Sequence, residues 1–341
     1  MNQESPVILL VRNDKIGDLI LCIPAITWLK KNLPNAKIVW LVKKELRDLA
    51  MLCEQVDDIL CDGSFKSLEH NINSYQFDAA ISFFSTFRIG YLIKKAGIPI
   101  RLAPKTKLAQ FFYNHKIIQK RSNSQKPEYE YNTDLVNELF NILKIDNILD
   151  IDKPPYIKLD DVKNDQIKKE FIKDYKIDNS NKNIIFIHPG TGGSSNTLSL
   201  EDFSRICTGL RTFDNYNFIV HYSVEEEEIA NALISKLPKN ISVTKIKPTK
   251  DKIKMVKNIS VCDVFISGST GPLHIAGALN KKTVGFFPSK KSSTSLRWQT
   301  INDFDKRLDF EDTGKGKGVI KIELNKSILE IQKHINKLEI V

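Results

Sequence analysis

Two glycine-bearing corners constrain this chain most. His188-Pro189-Gly190-Thr191-Gly192-Gly193 follows the apolar run Ile184-Ile185-Phe186-Ile187, and Gly268-Ser269-Thr270-Gly271-Pro272-Leu273-His274 follows Val264-Phe265-Ile266. Each run has the length of a buried strand, and each loop opens into a helical pattern. Five of the chain's 15 glycines sit in these two loops. Without a Cβ, glycine lets backbone N–H groups approach an anion, and the N-terminus of the following helix adds a favourable field. Such corners belong to parallel α/β sheets, which hold ligands at the carboxyl ends of their strands. As a pair they point to a bound nucleotide diphosphate. Either one alone is equally what an ordinary strand-to-helix turn looks like.

The alternation of strand and helix runs through the whole sequence. In the first half, strands are expected at 7–12, 37–42, 57–60 and 77–83, with an extended stretch at 99–102. Helices are expected at 19–33, interrupted by Pro24, and at 45–53, 86–96 and 131–143. Pro154-Pro155 marks a linker within 150–159. The second half gives strands at 184–188, 216–221, 241–246, 263–267 and 283–287, separated by helices at 200–212, 225–236, 251–259 and 272–280. Residues 289–320 read as irregular and hydrophilic, and a last helix at 326–337 carries Ile328, Ile331, Ile335 and Leu338 on one face. Alternation of this kind predicts an α/β chain of two similar domains facing each other across a cleft. The expected division is 1–152, 153–322 and a terminal helix segment 323–341.

At 341 residues the chain fits two domains of ordinary size, and 41% apolar content is that of a folded globular protein. No stretch approaches the roughly 20 apolar residues of a membrane span, and no signal-peptide pattern opens the chain. Five scattered cysteines without CxxC spacing argue against a disulfide framework or a zinc site, and a cytoplasmic protein is expected. The formal charge of +10 is unevenly spread. Residues 79–127 contain no acid and ten basic residues, Arg88, Lys105 and Lys107 among them. A segregated basic surface attracts nucleic acid, an acidic membrane face or a phosphorylated substrate. A solvated lysine-rich face is the plain alternative.

The N-terminal corner, Leu9-Leu10-Val11-Arg12-Asn13-Asp14-Lys15-Ile16-Gly17-Asp18 running on to Pro24-Ala25, resembles the opening of glycosyltransferase family 9, the bacterial heptosyltransferases. The resemblance continues through Pro34-Asn35-Ala36-Lys37 and resumes at Phe112-Tyr113-Asn114-His115. Both glycine loops match as well, as a His-Pro-Gly loop and a Thr-Gly-x-x-His loop, and the motifs come in the family's order. The resemblance implies a GT-B fold of two Rossmann-like domains, acceptor on the first and nucleotide sugar on the second. It also implies a final helix returning to the first domain. It implies inverting transfer with no tightly bound metal as cofactor, ADP-heptose as donor and the lipopolysaccharide inner core, Kdo-lipid A, as acceptor. The protein would then sit at the inner face of the cytoplasmic membrane as a peripheral enzyme.

Asp18 matches the family's catalytic aspartate, the base that takes the acceptor hydroxyl's proton. An Asp ahead of an apolar helix is also a normal N-cap. On the acceptor side, Lys15 in the same loop is placed to steady an anionic group, and Arg88, Lys105, Lys107 and His115 come from the basic segment. On the donor side, Gly190, Thr191, Gly192 and Asn196 form one wall. Ser269, Thr270, Gly271 and His274 form the other, where N–H groups meet the charge developing on the departing ADP. Glu226 lies where the family holds the nucleoside with an acid, although an acidic run at a helix start also suits the helix dipole. Two departures stand out. Many members have Asp-Thr-Gly where this chain has Ser269-Thr270-Gly271, and many have a lysine near Asn196. A related enzyme using another nucleotide sugar or acceptor in surface polysaccharide synthesis fits the same residues. A nucleic-acid-binding protein using 79–127 would need interleaved aromatics, and Phe111, Phe112 and Tyr113 are the only cluster. No G-x-G-x-x-G follows an expected strand, which argues against a dinucleotide-dependent oxidoreductase.

Overall fold

The computed structural model describes residues 5–106, 108–178, 183–193, 195–210, 216–314 and 318–336. Two compact units emerge, Met1–Arg121 with Gln125–Tyr156, and Ser122–Ser124 with Ile157–Val341.

The first unit contains β1 (Val7–Val11), α1 (Ile16–Ile20), α2 (Ile23–Asn32), β2 (Lys37–Lys43), α3 (Arg47–Ala50), β3 (Asp58–Asp62), α4 (Phe65–Asn73), β4 (Ala79–Ser82), α5 (Phe87–Lys95), β5 (Ile100–Pro104), β6 (His115–Ile117) and α6 (Glu128–Leu143). Its sheet is parallel, in the order β3-β2-β1-β4-β5-β6. Strand order reverses between β1 and β4, and the loops leaving those strands form the crevice where ligands of such sheets bind. Leu9, Val11, Val39, Leu41 and Ala80 bury one face of this sheet against Leu68, Ile72, Ile89, Leu92 and Ile93 of α4 and α5.

The helix expected at 19–33 is two helices. Pro24, near the start of α2, has no N–H to donate back and its ring crowds the preceding turn, so the chain breaks at Leu21-Cys22. The break is held from α6, where Asn132 Nδ2 donates to Leu21 O at 2.9 Å. Helix α4 escapes sequence reading because only Leu68 and Ile72 of it are buried. The Phe112-Tyr113-Asn114-His115 run fastens the sheet's last strand. Tyr113 is buried and donates to Ser82 Oγ at 2.8 Å, and Asn114 bonds both Pro99 O and the Arg101 N–H. Gly90 of α5 is needed here, since a Cβ would stand 2.9 Å from the Phe112 ring.

The second unit contains α7 (Asp161–Asp174), β7 (Asn183–His188), α8 (Leu200–Leu210), β8 (Tyr216–Val220), α9 (Glu227–Lys236), β9 (Val243–Lys245), α10 (Lys252–Ser260), β10 (Val264–Gly268), α11 (Gly271–Ala278), β11 (Lys282–Phe287), α12 (Ser295–Trp298), β12 (Arg307–Glu311) and α13 (Leu324–Asn336). Its parallel sheet runs β12-β11-β10-β7-β8-β9, the first unit's order repeated, with the reversal between β7 and β10. Both glycine loops of the sequence leave these two switch-point strands.

One expectation is corrected here. The 289–320 stretch is not wholly irregular, because β12 completes the sheet. Its sequence Arg-Leu-Asp-Phe-Glu reads as hydrophilic because it is an edge strand that turns only Leu308 and Phe310 to the core. The final helix, α13, is packed into the second unit's own core. Leu324, Ile331 and Ile335 of α13 are buried in that unit's core, and Ile328 packs so closely on Gly209 of α8 that a Cβ there would stand 2.6 Å away. Leu338 lies outside the described residues.

Candidate functional site

In the first unit the loop after β1 carries charge inward. Arg12, only 3% exposed, follows the last residue of β1, and its guanidinium is shared among carboxylates. Nε donates to Asp14 Oδ1 at 2.8 Å, Nη2 donates to Asp18 Oδ1, and Nη1 lies 3.6 Å from Glu128 Oε1. Arg121 closes the network, with Nη1 2.6 Å from Glu128 Oε1 and Nε and Nη2 on Gln119 Oε1. Asp18 is therefore no N-cap. Lys15 occupies the capping position of α1, and Asp18 sits in the first helical turn with its carboxylate on Arg12.

Three carboxyl groups here face two guanidiniums, so one carboxyl can hold a proton without leaving a charge unpaired. Asp18 is the carboxyl whose hold on its proton is strengthened. Burial raises its pKa, the pull of Arg12 opposes this, and the like charges of Asp14 and Glu128 add to the rise, leaving it at about 6. Arg12 stays charged: burial alone would weaken its hold on the proton, but Asp18 and Asp14 outweigh that, and its pKa lies above the ordinary value. The result is a carboxylate poised to take a proton near neutral pH.

The basic segment is acid-free along the chain but not in space. Arg88 pairs with Asp62 and donates to Gly63 O, Lys95 pairs with Glu69, and Arg121 and Lys126 pair with Glu128 and Asp134. Arg101 donates to the carbonyls of Phe112 and Ile98. Lys94, Lys105, Lys116 and Lys120 stay exposed, with no acid paired to them among the described residues. Lys15 is exposed in the β1 loop, and His115 is half-buried at the start of β6. Lys107 lies outside the described residues.

The second unit's switch point is built differently. Gly268, at the end of β10, is backed by Thr197 so closely that a Cβ would stand 2.8 Å from Thr197 Oγ1 and 3.4 Å from Asn196 O. The stretch that follows the first glycine loop therefore meets the start of the second. Gly192 and Gly193 adopt positive φ of 54° and 71°, conformations that favour glycine. Glu226 folds the first loop over itself. Its carboxylate accepts from Gly192 N–H at 2.7 Å and from the Ser223 hydroxyl and N–H at 2.7 and 3.1 Å, and a Cβ on Gly190 would overlap it. Burial opposes its ionisation, but the bonds from Ser223 and Gly192 outweigh burial and lower its pKa. Its two oxygens are thus engaged in shaping the loop.

Thr270 caps α11, taking the Leu273 N–H at 3.4 Å, and its hydroxyl lies 3.0 Å from Ser267 Oγ. One turn on, His274 is 3% exposed, and among the described residues its Nδ1 has no hydrogen-bond partner. Burial pushes its pKa down to about 4, so it is a neutral imidazole. A buried polar atom left unbonded is costly, and one placed a turn into α11 calls for an explanation. His188, by contrast, is core. It is buried against Phe265 and His221, and its Nδ1 lies 3.0 Å from His221 O.

Sequence reading missed Arg12, Arg121 and Glu128 as a network, since the partners lie far apart in the chain. An Arg directly after an apolar strand was the visible signal. It also missed Thr197 and Asp309. In register, His188, Ser267, Gly285 and Asp309 stand side by side, and burial pushes the Asp309 carboxyl up to about 7.

Comparison with known proteins agrees with this architecture. Residues 65–309 match the family profile of glycosyltransferase family 9 (heptosyltransferase). A Haemophilus influenzae protein, assigned only in general terms as a glycosyltransferase, is 38% identical over 312 residues, 89% of this chain and 88% of the relative. The Campylobacter jejuni lipooligosaccharide heptosyltransferase 2 is 27% identical over 124 residues, covering 36% of this chain and 38% of that protein. The solved structure of the E. coli ADP-heptose lipopolysaccharide heptosyltransferase II superposes with a TM-score of 0.77 at 16% identity, over 97% of this chain and 99% of that one.

Proposed function

The chain belongs to glycosyltransferase family 9, and on that premise we propose that it moves heptose from ADP-heptose to the lipopolysaccharide inner core, on an acceptor of the Kdo-lipid A type. The observation that carries the chemistry is the buried Asp18 carboxyl, raised to about 6 and held by Arg12. A base of this strength accepts the acceptor hydroxyl's proton while the oxygen attacks the anomeric carbon. The bond to the diphosphate breaks on the opposite side, the configuration inverts, and ADP leaves.

Gly190, Thr191, Gly192, Asn196, Glu226, Ser269, Thr270, Gly271 and His274 would hold the donor, Glu226 from within the loop that it shapes. Preorganised N–H groups, hydroxyls and a neutral imidazole meet the charge on the departing diphosphate, with no tightly bound metal required. Lys15, Arg88, Lys105, Lys107 and His115 would meet the anionic acceptor, Arg88 only by sharing its guanidinium with Asp62. A lipid-anchored acceptor places the enzyme at the inner face of the cytoplasmic membrane. Among the described residues no helix is long and apolar enough to cross a membrane.

Asn196 and Ser269, where relatives commonly carry Lys and Asp, favour a second reading, the same reaction with another nucleotide sugar. Thermal-shift titration with ADP-heptose and with UDP, GDP and dTDP sugars separates the two. A donor at 100 times its Kd stabilises by about 2.7 kcal/mol, and stabilisation by a non-ADP sugar alone selects the second. With the donor so identified, Asp18→Asn should lower turnover by about 10²–10⁴-fold while donor affinity by calorimetry is unchanged. The wild-type rate should survive EDTA. Near-normal turnover of Asp18→Asn at saturating acceptor would remove the base role.

A further inference from the structure

The first unit exposes an apolar surface that its own fold does not use. On α5, Phe87 and Tyr91 are 62% and 40% exposed. Phe112 packs across them, with ring centroids 4.8 Å from Phe87 and 6.0 Å from Tyr91, and Phe65 of α4 adds a ring 6.1 Å from Tyr91. The helical turn that carries Phe112 also carries Leu108 and Phe111, each 70% exposed. The chain then forms β6 and presents Ile118, 71% exposed, where the backbone of Lys105 bonds Ile117 O at 2.7 Å. Large side chains this exposed, grouped on neighbouring segments, are unusual on a surface that meets only water.

Charge says what covers them. Lys94 lies two turns along α5 from Phe87, Lys105 and Lys116 lie on β5–β6 and the turn between them, and Lys120 follows. All four are exposed and unpaired among the described residues, whereas the segment's other described cations are bound to acids or carbonyls. A protein partner's dry apolar face would leave such lysines unmatched, whereas a bilayer surface with anionic headgroups accepts both kinds of group. Apolar side chains enter the acyl boundary while lysines stay at the level of the phosphates.

We propose that Phe87, Tyr91, Leu108, Phe111 and Ile118, together with Lys94, Lys105, Lys116 and Lys120 on the same segments, form a docking surface for an anionic phospholipid bilayer. The proposal rests on the lipid-acceptor reading above for its purpose, but it is tested without donor or acceptor, so the two can fail separately.

The experiment is flotation of the full-length protein with vesicles of phosphatidylcholine alone, or with about one third phosphatidylglycerol. The wild type should float with the anionic vesicles and much less with the neutral ones. Leu108→Ser with Phe111→Ser should weaken partitioning by about tenfold or more, since two apolar side chains no longer enter the boundary. Lys116→Glu with Lys120→Glu should weaken it at least fivefold per residue, roughly the contribution of one basic residue near an anionic surface. All four side chains are exposed, so melting temperatures should stay within about 1–2 °C of wild type and folding is not in question. No flotation of the wild type, equal flotation with both vesicle types, or variants that float like wild type would each overturn the proposal. So would a wild-type dimer in light scattering that Leu108→Ser with Phe111→Ser dissolves, because the surface would then belong to a second copy.

Discussion

The two units share one strand order and use their switch points in opposite ways. In the first, the loop after β1 turns in a guanidinium and carboxylates, and Arg12, Asp14, Asp18 and Glu128 form a buried network of full charges. In the second, the loops after β7 and β10 bring glycine N–H groups, Thr270 and a neutral His274, with Glu226 bonded into its own loop. Under the proposed function, the difference is what the two crevices would need. A proton acceptor needs a pKa moved toward neutrality, which takes burial and neighbouring charges. An anion that arrives with its own charge needs donors held in place beforehand, and neutral ones suffice. The same topology therefore carries an electrostatically strained site and a relaxed one.

That contrast is easiest to break at Arg12. Replacing it with Met leaves Asp14, Asp18 and Glu128 without the cation they share, and an uncompensated buried charge costs about 3–5 kcal/mol. Urea unfolding should show a loss of that size for Arg12→Met. Thr270→Val in the second unit removes a helix cap and the hydroxyl contact with Ser267, and should lose about 1–2 kcal/mol. Equal losses would mean that the two crevices are energetically alike.

The pH dependence sharpens the comparison. The base must be unprotonated to act, and the Asp18 pKa is raised to about 6. The rate should therefore fall about tenfold per unit as pH drops below 6 and level off above it. Glu128→Gln removes a like charge that contributes to the rise, so the acid limb should move to lower pH. The linkage to stability has the opposite sense to that of an ordinary salt-bridged Asp. A carboxyl whose pKa is raised on folding stabilises most below its unfolded value near 4, and that contribution is lost as pH rises through 6. A limb that stays in place in Glu128→Gln would show that the network does not set the basicity of Asp18.

How much of this the sequence disclosed follows the same divide. The second unit's crevice was legible, because glycine spacing after apolar strands is local and its cause is conformational. Gly268 was recognisable as glycine in a loop, and the structure adds why: Thr197 leaves no room for a Cβ. The first unit's crevice was legible only at Asp18, through resemblance. Glu128 reaches Arg12 across more than a hundred residues, and no local pattern announces such a pair. The basic segment was legible only in part for the same reason. Its acids are supplied by Asp62, Glu69, Glu128 and Asp134 from outside, so a charge count along the chain overstated the field. Strand β12 and helices α4 and α7 escaped because edge strands and one-sided helices bury too few apolar residues to read as periodic.

The smallest expected effect is also the one that separates the two crevices most cleanly. His274 is held neutral by burial, its pKa pushed down to about 4, with no partner for Nδ1 among the described residues. If it meets the donor's diphosphate, it does so as a neutral hydrogen-bond donor, and such a bond contributes about 0.5–1.5 kcal/mol net. His274→Phe keeps the volume of a buried ring and removes the nitrogen, so donor affinity by calorimetry should fall about two- to tenfold. The pH course of binding says whether charge is involved. A nucleotide sugar's diphosphate is esterified at both ends and keeps its charge between pH 6 and 8, so any change in affinity over that range reports on the protein. A His274 cation with an ordinary pKa would lose affinity steadily across this interval as its proton left. The neutral imidazole predicts a flat course, in the same interval where turnover has just levelled off above the Asp18 limb. A sloping course in the wild type that His274→Phe flattens would show that the second crevice, like the first, works through full charge.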